Sequence, residues 1–259
     1  MPYLEVEAGR IYYEVSGPEG APAVIFSNSL GTDLAMWNAQ AASLSRTRRV
    51  VRYDTRGHGR STATAGPYSI AGLARDVLLL LDSLKISRTD FCGLSMGGMT
   101  GMWLAAHVPL RLGKVVLSNT APKIGWAESW NARIDAVQRG GMRAVVEAVL
   151  ERWYTPAFRS ESPDAVEATR KTLLATPPEG YTACCAAIRD ADLGEMISTI
   201  QSPTMVIVGT HDPVTTPADA RFMTERIPGS KYVELPAAHL SNIEAAEAFT
   251  MELYRFLMS

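Results

Sequence analysis

The pentapeptide Gly93-Leu94-Ser95-Met96-Gly97 is the stretch of this 259-residue chain on which the interpretation of its fold depends. Residues 88–92 before it indicate a short buried strand, and residues 98–107 after it indicate a helix that begins with small side chains. A serine between two glycines at a strand-to-helix turn is typical of a nucleophile elbow, which strains the serine backbone and presents its hydroxyl at the sheet edge. The pattern therefore predicts that Ser95 is a catalytic nucleophile.

Strands and helices alternate on both sides of this turn. Apolar runs that predict strands are separated by helical patterns up to about residue 121, and the same alternation resumes at about residue 193. Such βαβ units indicate an α/β fold with a mostly parallel sheet flanked by helices. The first two predicted strands, 3–6 and 11–15, instead form a hairpin around Ala8-Gly9.

Helical patterns dominate one internal segment and the end of the chain. Residues 122–192 show such patterns and no convincing strand, so they are predicted to be a helical cap inserted into a core of residues 1–121 and 193–259. The adjacent pair Cys184-Cys185 falls on an apolar helical face there, which packing explains better than redox or metal chemistry. The stretch Ser241-Asn242-Ile243-Glu244 predicts a capping box at the start of a final helix.

Composition narrows the classes of function. A chain with 47% apolar and 20% charged residues can bury a large core, which argues against disorder. The net charge of −2 gives no electrostatic basis for binding nucleic acid or a membrane surface. The N-terminus, Met1-Pro2-Tyr3-Leu4-Glu5-Val6-Glu7, has no apolar signal-peptide core, and three cysteines provide no disulfide framework. We expect a reduced, cytoplasmic protein with no nucleic-acid or membrane partner, and its oligomeric state stays open.

A serine hydroxyl needs a base that removes its proton and an acid that orients the base. Among the four histidines, three are set aside because of their distance from the serine or their position in loops: His58, His107 and His211. His239 remains, because it follows the last predicted strand at the sheet edge where Ser95 should lie. Asp212 follows the preceding strand at the same edge, so Ser95, Asp212 and His239 form the predicted catalytic triad.

Two backbone amides must also face the negative charge that develops on the attacked carbonyl oxygen. One is expected from Met96, the residue after the nucleophile. The other is expected from Leu30 in the loop after the third strand, counted back from Trp37 in the next helix. Asp54 is a rival for the acid, but its place before Arg56-Gly57-His58-Gly59 favours a structural anchor of that loop.

Taken together, these stretches resemble the α/β-hydrolase superfamily, including its chain order of serine, acid and histidine. More specifically, the chain resembles the 3-oxoadipate enol-lactonases of bacterial aromatic catabolism along nearly its whole length, and least in the predicted cap. The stretches that carry this resemblance are Ser27-Asn28-Ser29-Leu30-Gly31-Thr32-Asp33, Tyr53-Asp54-Thr55-Arg56-Gly57-His58-Gly59, Phe91-Cys92-Gly93-Leu94-Ser95-Met96-Gly97-Gly98 and His239-Leu240-Ser241-Asn242-Ile243-Glu244. Many relatives carry His-Gly where this chain has Asn28-Ser29, which makes that difference the more discriminating signal.

The resemblance implies an enzyme that opens a five-membered enol-lactone, a small anion with a carboxylate tail, and yields 3-oxoadipate in the β-ketoadipate pathway. It implies no metal and no organic cofactor, and no cluster of ligand residues in the sequence contradicts this. Cofactor-free perhydrolases and carboxylesterases of the same fold remain alternatives, as does a receptor or scaffold that binds without catalysis. A complete triad argues against the receptor or scaffold.

The carboxylate tail needs a positive partner that the triad does not supply. An arginine beneath a cap, shielded from water, would pair with it in a bidentate geometry. Arg133 is chosen among the seven arginines of residues 122–192, because it lies near the start of that segment beside Trp130. Trp130 and Trp153 are candidate apolar walls for the lactone ring.

Overall fold

The computed structural model describes residues 2–6 and 9–259, so Ala8 in the predicted hairpin lies outside the described residues. Eight strands in this part of the chain form one sheet: β1 (Tyr3–Val6), β2 (Gly9–Ser16), β3 (Ala23–Ser27), β4 (Arg49–Tyr53), β5 (Thr89–Leu94), β6 (Leu112–Ser118), β7 (Thr204–Gly209) and β8 (Lys231–Leu235). Across the sheet their order is β1-β2-β4-β3-β5-β6-β7-β8. Only the β1–β2 and β2–β4 pairs among them are antiparallel, which confirms the predicted, mostly parallel sheet.

The central strands are covered on both faces. All five residues of β3 and all six of β7 are buried, which is why their sequences are continuous apolar runs rather than alternating patterns. The chain moves outward from β3 to β4 and then returns to place β5 on the other side of β3. Ligands bind beyond the carboxyl ends of the strands where a parallel sheet reverses direction in this way. A site is therefore expected where β3 and β5 end.

Helices cover both faces of the sheet. The α-helices of the described residues are α1 (Asn38–Leu44), α2 (Ile70–Ser83), α3 (Met96–His107), α4 (Ala127–Gly140), α5 (Val146–Trp153), α6 (Pro156–Glu161), α7 (Pro163–Ala175), α8 (Pro178–Arg189), α9 (Pro217–Arg226), α10 (Ser241–Glu244) and α11 (Ala246–Met258). α2 packs against α3 and α1 packs against α11. Because the chain crosses the sheet in opposite directions through α1 and through α2, right-handed crossovers would place these two pairs on opposite faces. Within the described residues, no helix combines the length and the apolar character that crossing a bilayer requires.

Residues 122–192, all of which the structure describes, contribute the five helices α4 to α8 and no strand. The apolar face that carries Cys184 is buried as expected, and so are the side chains of Val149, Trp153 and Tyr181. α8 packs against α4 and also lies on the loop after β4. The backbones meet so closely there that a Cβ on Gly180 would stand 2.3 Å from the Gly57 carbonyl oxygen. This contact holds one side of the helical segment against the loop after β4.

The end of the chain differs from the single helix that was expected. The predicted capping-box residues form the short α10, which has no side-chain cap, and the backbone leaves the helical region at Ala245 (φ −115°, ψ 46°) before α11 begins. The capping-box prediction is wrong because its serine and its glutamate bond elsewhere. Ser241 Oγ donates to Asn119 Oδ1, and the Glu244 carboxylate accepts the Ala238 N–H at 2.8 Å.

Candidate active site

Ser95 occupies the sharp turn between β5 and α3 that the sequence predicts. Its backbone has φ 57° and ψ −116°, which a residue with a side chain adopts only under strain. The Ser95 N–H donates to the Ser118 carbonyl at 3.0 Å, and the Thr120 hydroxyl donates to the Ser95 carbonyl at 2.7 Å. Gly97 is required by a close approach, since a Cβ there would lie 2.2 Å from the Ser27 carbonyl oxygen. These contacts hold the Ser95 side chain at the edge where β5 ends.

Asp212 and His239 form a buried hydrogen-bonded pair at the same edge. Asp212 follows β7 and His239 follows β8, and Nδ1 of His239 lies 2.8 Å from Oδ2 of Asp212. The side chains of His239 and Asp212 are only 1% and 0% exposed. With Nδ1–H donating to the carboxylate, Nε2 of the neutral imidazole keeps a lone pair that can accept a proton.

Four further donors hold the Asp212 carboxylate. Oδ1 accepts the N–H groups of Val214 at 2.8 Å and Thr215 at 3.1 Å. Oδ2 accepts the Thr215 hydroxyl at 2.8 Å and Asn119 Nδ2 at 2.9 Å. Burial by itself would raise the pKa of Asp212, but the charge and hydrogen bond of His239 and the other donors outweigh burial, and the pKa lies below its usual value. Asp212 therefore stays ionised opposite the imidazole.

Asn119 is the residue of this site that sequence reasoning misses. It follows β6 with φ 41°, a left-handed conformation that asparagine tolerates better than most residues. Besides its bond to Asp212, its Nδ2 donates to the Ala238 carbonyl at 3.1 Å, and its Oδ1 accepts the Ser241 hydroxyl. Asn119 thus joins the loops that carry Asp212 and His239. The sequence signal that could have identified Asn119 is its amide side chain directly after β6, the strand next to β7.

The Ser95 hydroxyl and Nε2 of His239 lie at this edge without a mutual hydrogen bond, and neither has another partner among residues 2–6 and 9–259. Bonds between a nucleophile and its base are often long before substrate binds and tighten in the complex. The Trp153 ring lies beside the His239 imidazole, with centroids 6.4 Å apart and planes inclined by 26°. The predicted apolar wall Trp153 is therefore next to the predicted base.

The helices of residues 122–192 are bonded to both flanks of His239. The Trp153 carbonyl accepts the Leu240 N–H at 3.1 Å. The Glu244 carboxylate, which accepts the Ala238 N–H, also accepts the Thr155 N–H at 3.2 Å. The residues before and after His239 are thus fixed to the helical segment, and the imidazole between them is 1% exposed.

The amides of Leu30 and Met96 have no acceptor in the described part of the chain. Leu30 lies in a turn closed by the Thr32 N–H, which donates to the Ser29 carbonyl at 3.2 Å. Met96 is the first residue of α3, so its N–H has no partner within the helix. The two residues follow β3 and β5, which are paired neighbours in the sheet. Their amides are therefore available to an oxygen bound beside Ser95, as the predicted oxyanion hole requires.

The predicted substrate contacts on α4 lie close to a second arginine. The Arg133 guanidinium lies over the Trp130 ring, 4.8 Å from its centroid. Burial raises the pKa of Tyr181, and the positive charge of Arg133 opposes that rise, which places Arg133 near the Tyr181 hydroxyl. Burial and the charge of Arg133 lower the pKa of Arg152. Neither guanidinium forms an ion pair with a carboxylate within the residues that the structure describes.

Asp54 and His58 lie apart from the Asp212–His239 pair, in the loop after β4. Asp54 Oδ1 accepts the Leu34 N–H and Oδ2 accepts the Arg60 N–H, both at 2.8 Å, so Asp54 anchors the loop as predicted. Burial raises the pKa of Asp54 to about 6 and lowers the pKa of His58 to about 4. His58 is therefore a neutral buried imidazole at neutral pH.

The buried His58 predicts a loss of stability in acid. An unfolded histidine takes up a proton near pH 6.5, whereas folded His58 does so near pH 4, so the unfolded state binds more protons between these values. The contribution of His58 to the free energy of unfolding should fall as the pH drops through this range, by about 3 kcal/mol. Urea unfolding followed by tryptophan fluorescence between pH 7 and pH 4 measures the change.

Protonation of Asp54 stabilises the folded state as the pH falls, which opposes the effect of His58. The control is therefore His58→Gln, which keeps Asp54 and removes the imidazole. The raised pKa of Asp54 lets the folded state keep a proton up to about pH 6 that the unfolded chain has released. Asp54 is present in both proteins, so its effect cancels in their difference. The stability of His58→Gln should depend less steeply on acid than that of the wild type. Equal pH dependence would contradict a buried, neutral His58.

The three cysteines are not reactive groups of this site. Cys92, Cys184 and Cys185 are free and buried, and burial raises the pKa of each thiol. Since the thiolate is the reactive form, these cysteines are packing residues, as predicted for Cys184 and Cys185. Among the described residues, no three histidine, cysteine, aspartate or glutamate side chains are grouped so that they could hold a metal ion.

Known proteins resemble this chain in sequence and in fold. Residues 22–161 match the family model described as the alpha/beta hydrolase fold. Over 246 residues the chain is 46% identical to 3-oxoadipate enol-lactonase 2 of Acinetobacter baylyi. The aligned region covers 95% of this chain and 92% of that protein. The crystal structure of the enol-lactonase from Burkholderia xenovorans LB400 matches with a TM-score of 0.98, 47% identity and full coverage of both chains. A thermophilic esterase from Thermogutta terrifontis, solved with malate bound, matches with a TM-score of 0.93 and 26% identity over 100% of this chain and 98% of that one.

Proposed function

Since this chain belongs to the α/β-hydrolase family, and within it to the 3-oxoadipate enol-lactonases, we propose that it hydrolyses 3-oxoadipate enol-lactone to 3-oxoadipate. The observation that carries the proposal is the 46% identity to an enol-lactonase along 95% of the chain. The geometry independently supports acyl transfer, because a strained serine and a buried Asp–His pair lie at one sheet edge. The enzyme would then serve in the β-ketoadipate pathway of aromatic catabolism.

In the proposed mechanism Ser95 is the nucleophile, His239 the base and Asp212 the acid that orients the imidazole. Ser95 Oγ attacks the lactone carbonyl carbon while its proton passes to Nε2 of His239. The ring C–O bond then breaks, and the enol oxygen takes that proton while the enol stays tethered to the acyl group. Water next attacks the acyl-enzyme and gives a proton to His239, which returns it to Ser95. The released enol tautomerises to the ketone.

The proposed oxyanion hole consists of the Leu30 and Met96 amides. Each tetrahedral intermediate places a negative charge on the former carbonyl oxygen, and two N–H donors stabilise it. A turn holds one amide and the first turn of α3 holds the other, so neither must reorganise during the reaction. This preorganisation is what makes such donors effective.

The carboxylate tail of the lactone is proposed to bind Arg133, with Arg152 as a second cation. Two neighbouring guanidiniums without a carboxylate partner repel each other, so an anion between them lowers their energy. The ion pairs of Arg170 and Arg189 with nearby carboxylates leave those two arginines unavailable. Trp130 and Trp153 are proposed as the apolar walls of the ring pocket, because one supports Arg133 and the other lies beside His239.

Residues 122–192 are proposed to act as the cap over a core of residues 1–121 and 193–259. The segment leaves the sheet after β6 and returns to it at β7. Its helices pack on the loop after β4 and bond to both flanks of His239. A cap in this position keeps bulk solvent away from the place proposed for the carboxylate tail, which strengthens the interaction of an arginine with a carboxylate, while single water molecules can still reach the acyl-enzyme.

A small-molecule substrate is proposed as the only partner that the site requires, without nucleic acid or membrane. The net charge of −2 supports this, since neither phosphate backbones nor anionic lipid would be attracted. We also propose a cytoplasmic location. The three free cysteines support it, because reduced thiols persist in the cytoplasm.

The proposal is tested by following the ultraviolet absorbance of the enol-lactone as purified protein opens it. Ser95→Ala, prepared in the same way, is the matched control that subtracts spontaneous ring opening. We expect kcat/KM for the lactone to exceed that for a simple neutral ester such as phenyl acetate. Lactone turnover no faster than with Ser95→Ala, together with rapid ester hydrolysis, would instead identify a carboxylesterase of the same fold.

A further inference from the structure

His58 is a fully buried histidine that the proposed mechanism does not use. Its Nε2 lies 2.8 Å from the Gly31 amide nitrogen, and its Nδ1 lies 3.3 Å from the Arg56 carbonyl oxygen. An amide can only donate and a carbonyl can only accept, so these partners define the tautomer. Nδ1 carries the proton, and Nε2 accepts the Gly31 N–H.

The amide that His58 holds is adjacent to the proposed oxyanion donor. Leu30 and Gly31 are the two central residues of the turn that runs from Ser29 to Thr32. Gly31 has φ 79°, which the turn requires and which a residue with a side chain would adopt only under strain. The Leu30 carbonyl and the Gly31 N–H belong to one peptide unit, so rotation of this unit would reverse both groups and disturb the turn that carries the Leu30 N–H. With the Gly31 N–H bonded to His58, the Leu30 N–H is the one left without an acceptor among the described residues.

Other contacts hold the ends of this loop but not its turn. Asn28 Nδ2 donates to the Tyr53 carbonyl at 2.8 Å before the turn, and the Leu34 N–H donates to Asp54 after it. At the turn itself, the polar contact from the neighbouring loop is the one made by His58. Burial keeps His58 neutral at ordinary pH, so its Nε2 lone pair remains available to the amide.

Packing on the opposite side of the turn comes from the helices of residues 122–192. A Cβ on Gly31 would lie 2.6 Å from Cδ2 of Leu173 and 3.2 Å from Cε2 of Tyr181. These side chains limit movement of the turn toward the cap but supply no acceptor to its amide. The direction of the Gly31 N–H is therefore set by the imidazole.

We propose that His58 is a positioning residue of the oxyanion hole: its Nε2 holds the Gly31 amide, so that the Leu30 amide faces the reacting carbonyl oxygen. This inference rests on the proposed function, because it takes the Leu30 amide as an oxyanion donor. The bonds of His58 go to Gly31 and Arg56 and not to the Ser95 side chain. Its effect should appear only when negative charge develops on that oxygen, so it concerns kcat rather than KM.

The test compares His58→Leu, which has no acceptor, with His58→Gln, whose amide oxygen can reach the place of Nε2. For His58→Leu we expect kcat on the enol-lactone and on p-nitrophenyl acetate to fall by about 10- to 100-fold, with KM nearly unchanged. The dissociation constant of phenylboronic acid, whose adduct with Ser95 is tetrahedral, should rise by a similar factor. His58→Gln should recover most of both losses.

His107→Leu is the matched control, since His107 is an exposed histidine stacked on Trp103 outside the site. It makes the same chemical change and should leave kcat and boronate affinity unchanged. If His58→Leu does not fold, His58→Asn replaces it, because its shorter amide cannot reach the Gly31 N–H. Circular dichroism and the thermal midpoint report folding separately from kcat.

Three results would overturn the inference: an unchanged kcat in His58→Leu, a loss confined to KM, or a His58→Gln variant no better than His58→Leu. The ester and boronate measurements separate this outcome from failure of the proposed function. A wild-type protein that does not open the lactone but shows the expected His58 series on p-nitrophenyl acetate would refute the substrate and support the positioning role.

Discussion

Replacing Ser95 or His239 with alanine should reduce kcat for the enol-lactone by a factor on the order of 10⁴ to 10⁶. In the proposed mechanism, Ser95→Ala removes the atom that forms the acyl-enzyme, and His239→Ala removes the base that accepts its proton. Asp212→Asn should cost roughly 10⁴-fold, because an amide at this place favours the wrong imidazole tautomer. Initial rates at saturating lactone measure each loss.

A variant that lacks both side chains tests whether Ser95 and His239 act as one unit. Residues that act as a unit are not additive, so Ser95→Ala combined with His239→Ala should be no slower than either single variant. His107→Ala is a matched histidine control, because His107 lies at the exposed end of α3. Near-normal turnover by His239→Ala would show that the base is another residue.

The fold is predictable from the sequence because its signals are local. Buried parallel strands leave continuous apolar runs, and β3 and β7 show this directly. The turn at Ser95 is also local, since Gly97 must lack a side chain where it meets the Ser27 carbonyl. The positions of Asp212 and His239 follow once the strands are known, because successive parallel strands end at one edge.

The hydrogen-bond network beneath the pair is not predictable in this way. Asn119 meets Asp212 and Ser241 across 93 and 122 residues of sequence, so its role depends on three loops at once. The same network explains the wrong capping box. The local pattern of Ser241 and Glu244 matches a helix start. In the folded chain, however, both side chains bond to residues outside the helix, so tertiary contacts override the local preference.

The proximity of Arg133 and Arg152 within residues 122–192 was equally unpredictable from the sequence. The sequence favoured Arg133 from its position beside Trp130, and the structure adds that Arg152 is close enough for the charge of Arg133 to lower its pKa. The two arginines lie on α4 and α5, whose packing no periodic pattern specifies. Similarly, the sequence shows only that His58 lies in a loop. Its bond to the Gly31 amide was not predictable, because Gly31 is 27 residues away in the chain.

Arg133→Ala should lower kcat/KM for the anionic lactone by about 10²-fold while leaving the hydrolysis of phenyl acetate nearly intact. The reason is that the lost interaction involves the carboxylate tail, which a neutral ester lacks. Because the tail is bound equally in the ground state and the transition state, the loss should appear mainly in KM. Steady-state kinetics on both substrates with the same enzyme preparation measure the difference.

Three further variants define the site. Arg133→Lys keeps the charge but loses the planar fork, so it should fall between the wild type and Arg133→Ala. Arg152→Ala should weaken lactone binding in the same selective manner if both guanidiniums face one anion. Arg139→Ala is the matched control, since Arg139 is an exposed arginine on the same helix. It should bind the lactone as tightly as the wild type.

The pattern of losses separates binding from folding. Glu244 and Trp153 bond the helical segment of residues 122–192 to the loop of His239, so a segment that collapsed after mutation would also disturb the proposed base. Equal losses on the lactone and on phenyl acetate would therefore indicate such a collapse. Full activity of Arg133→Ala on both substrates would show that another residue binds the carboxylate tail. A selective loss, restored in part by Arg133→Lys, is the result expected if the tail is held by this arginine.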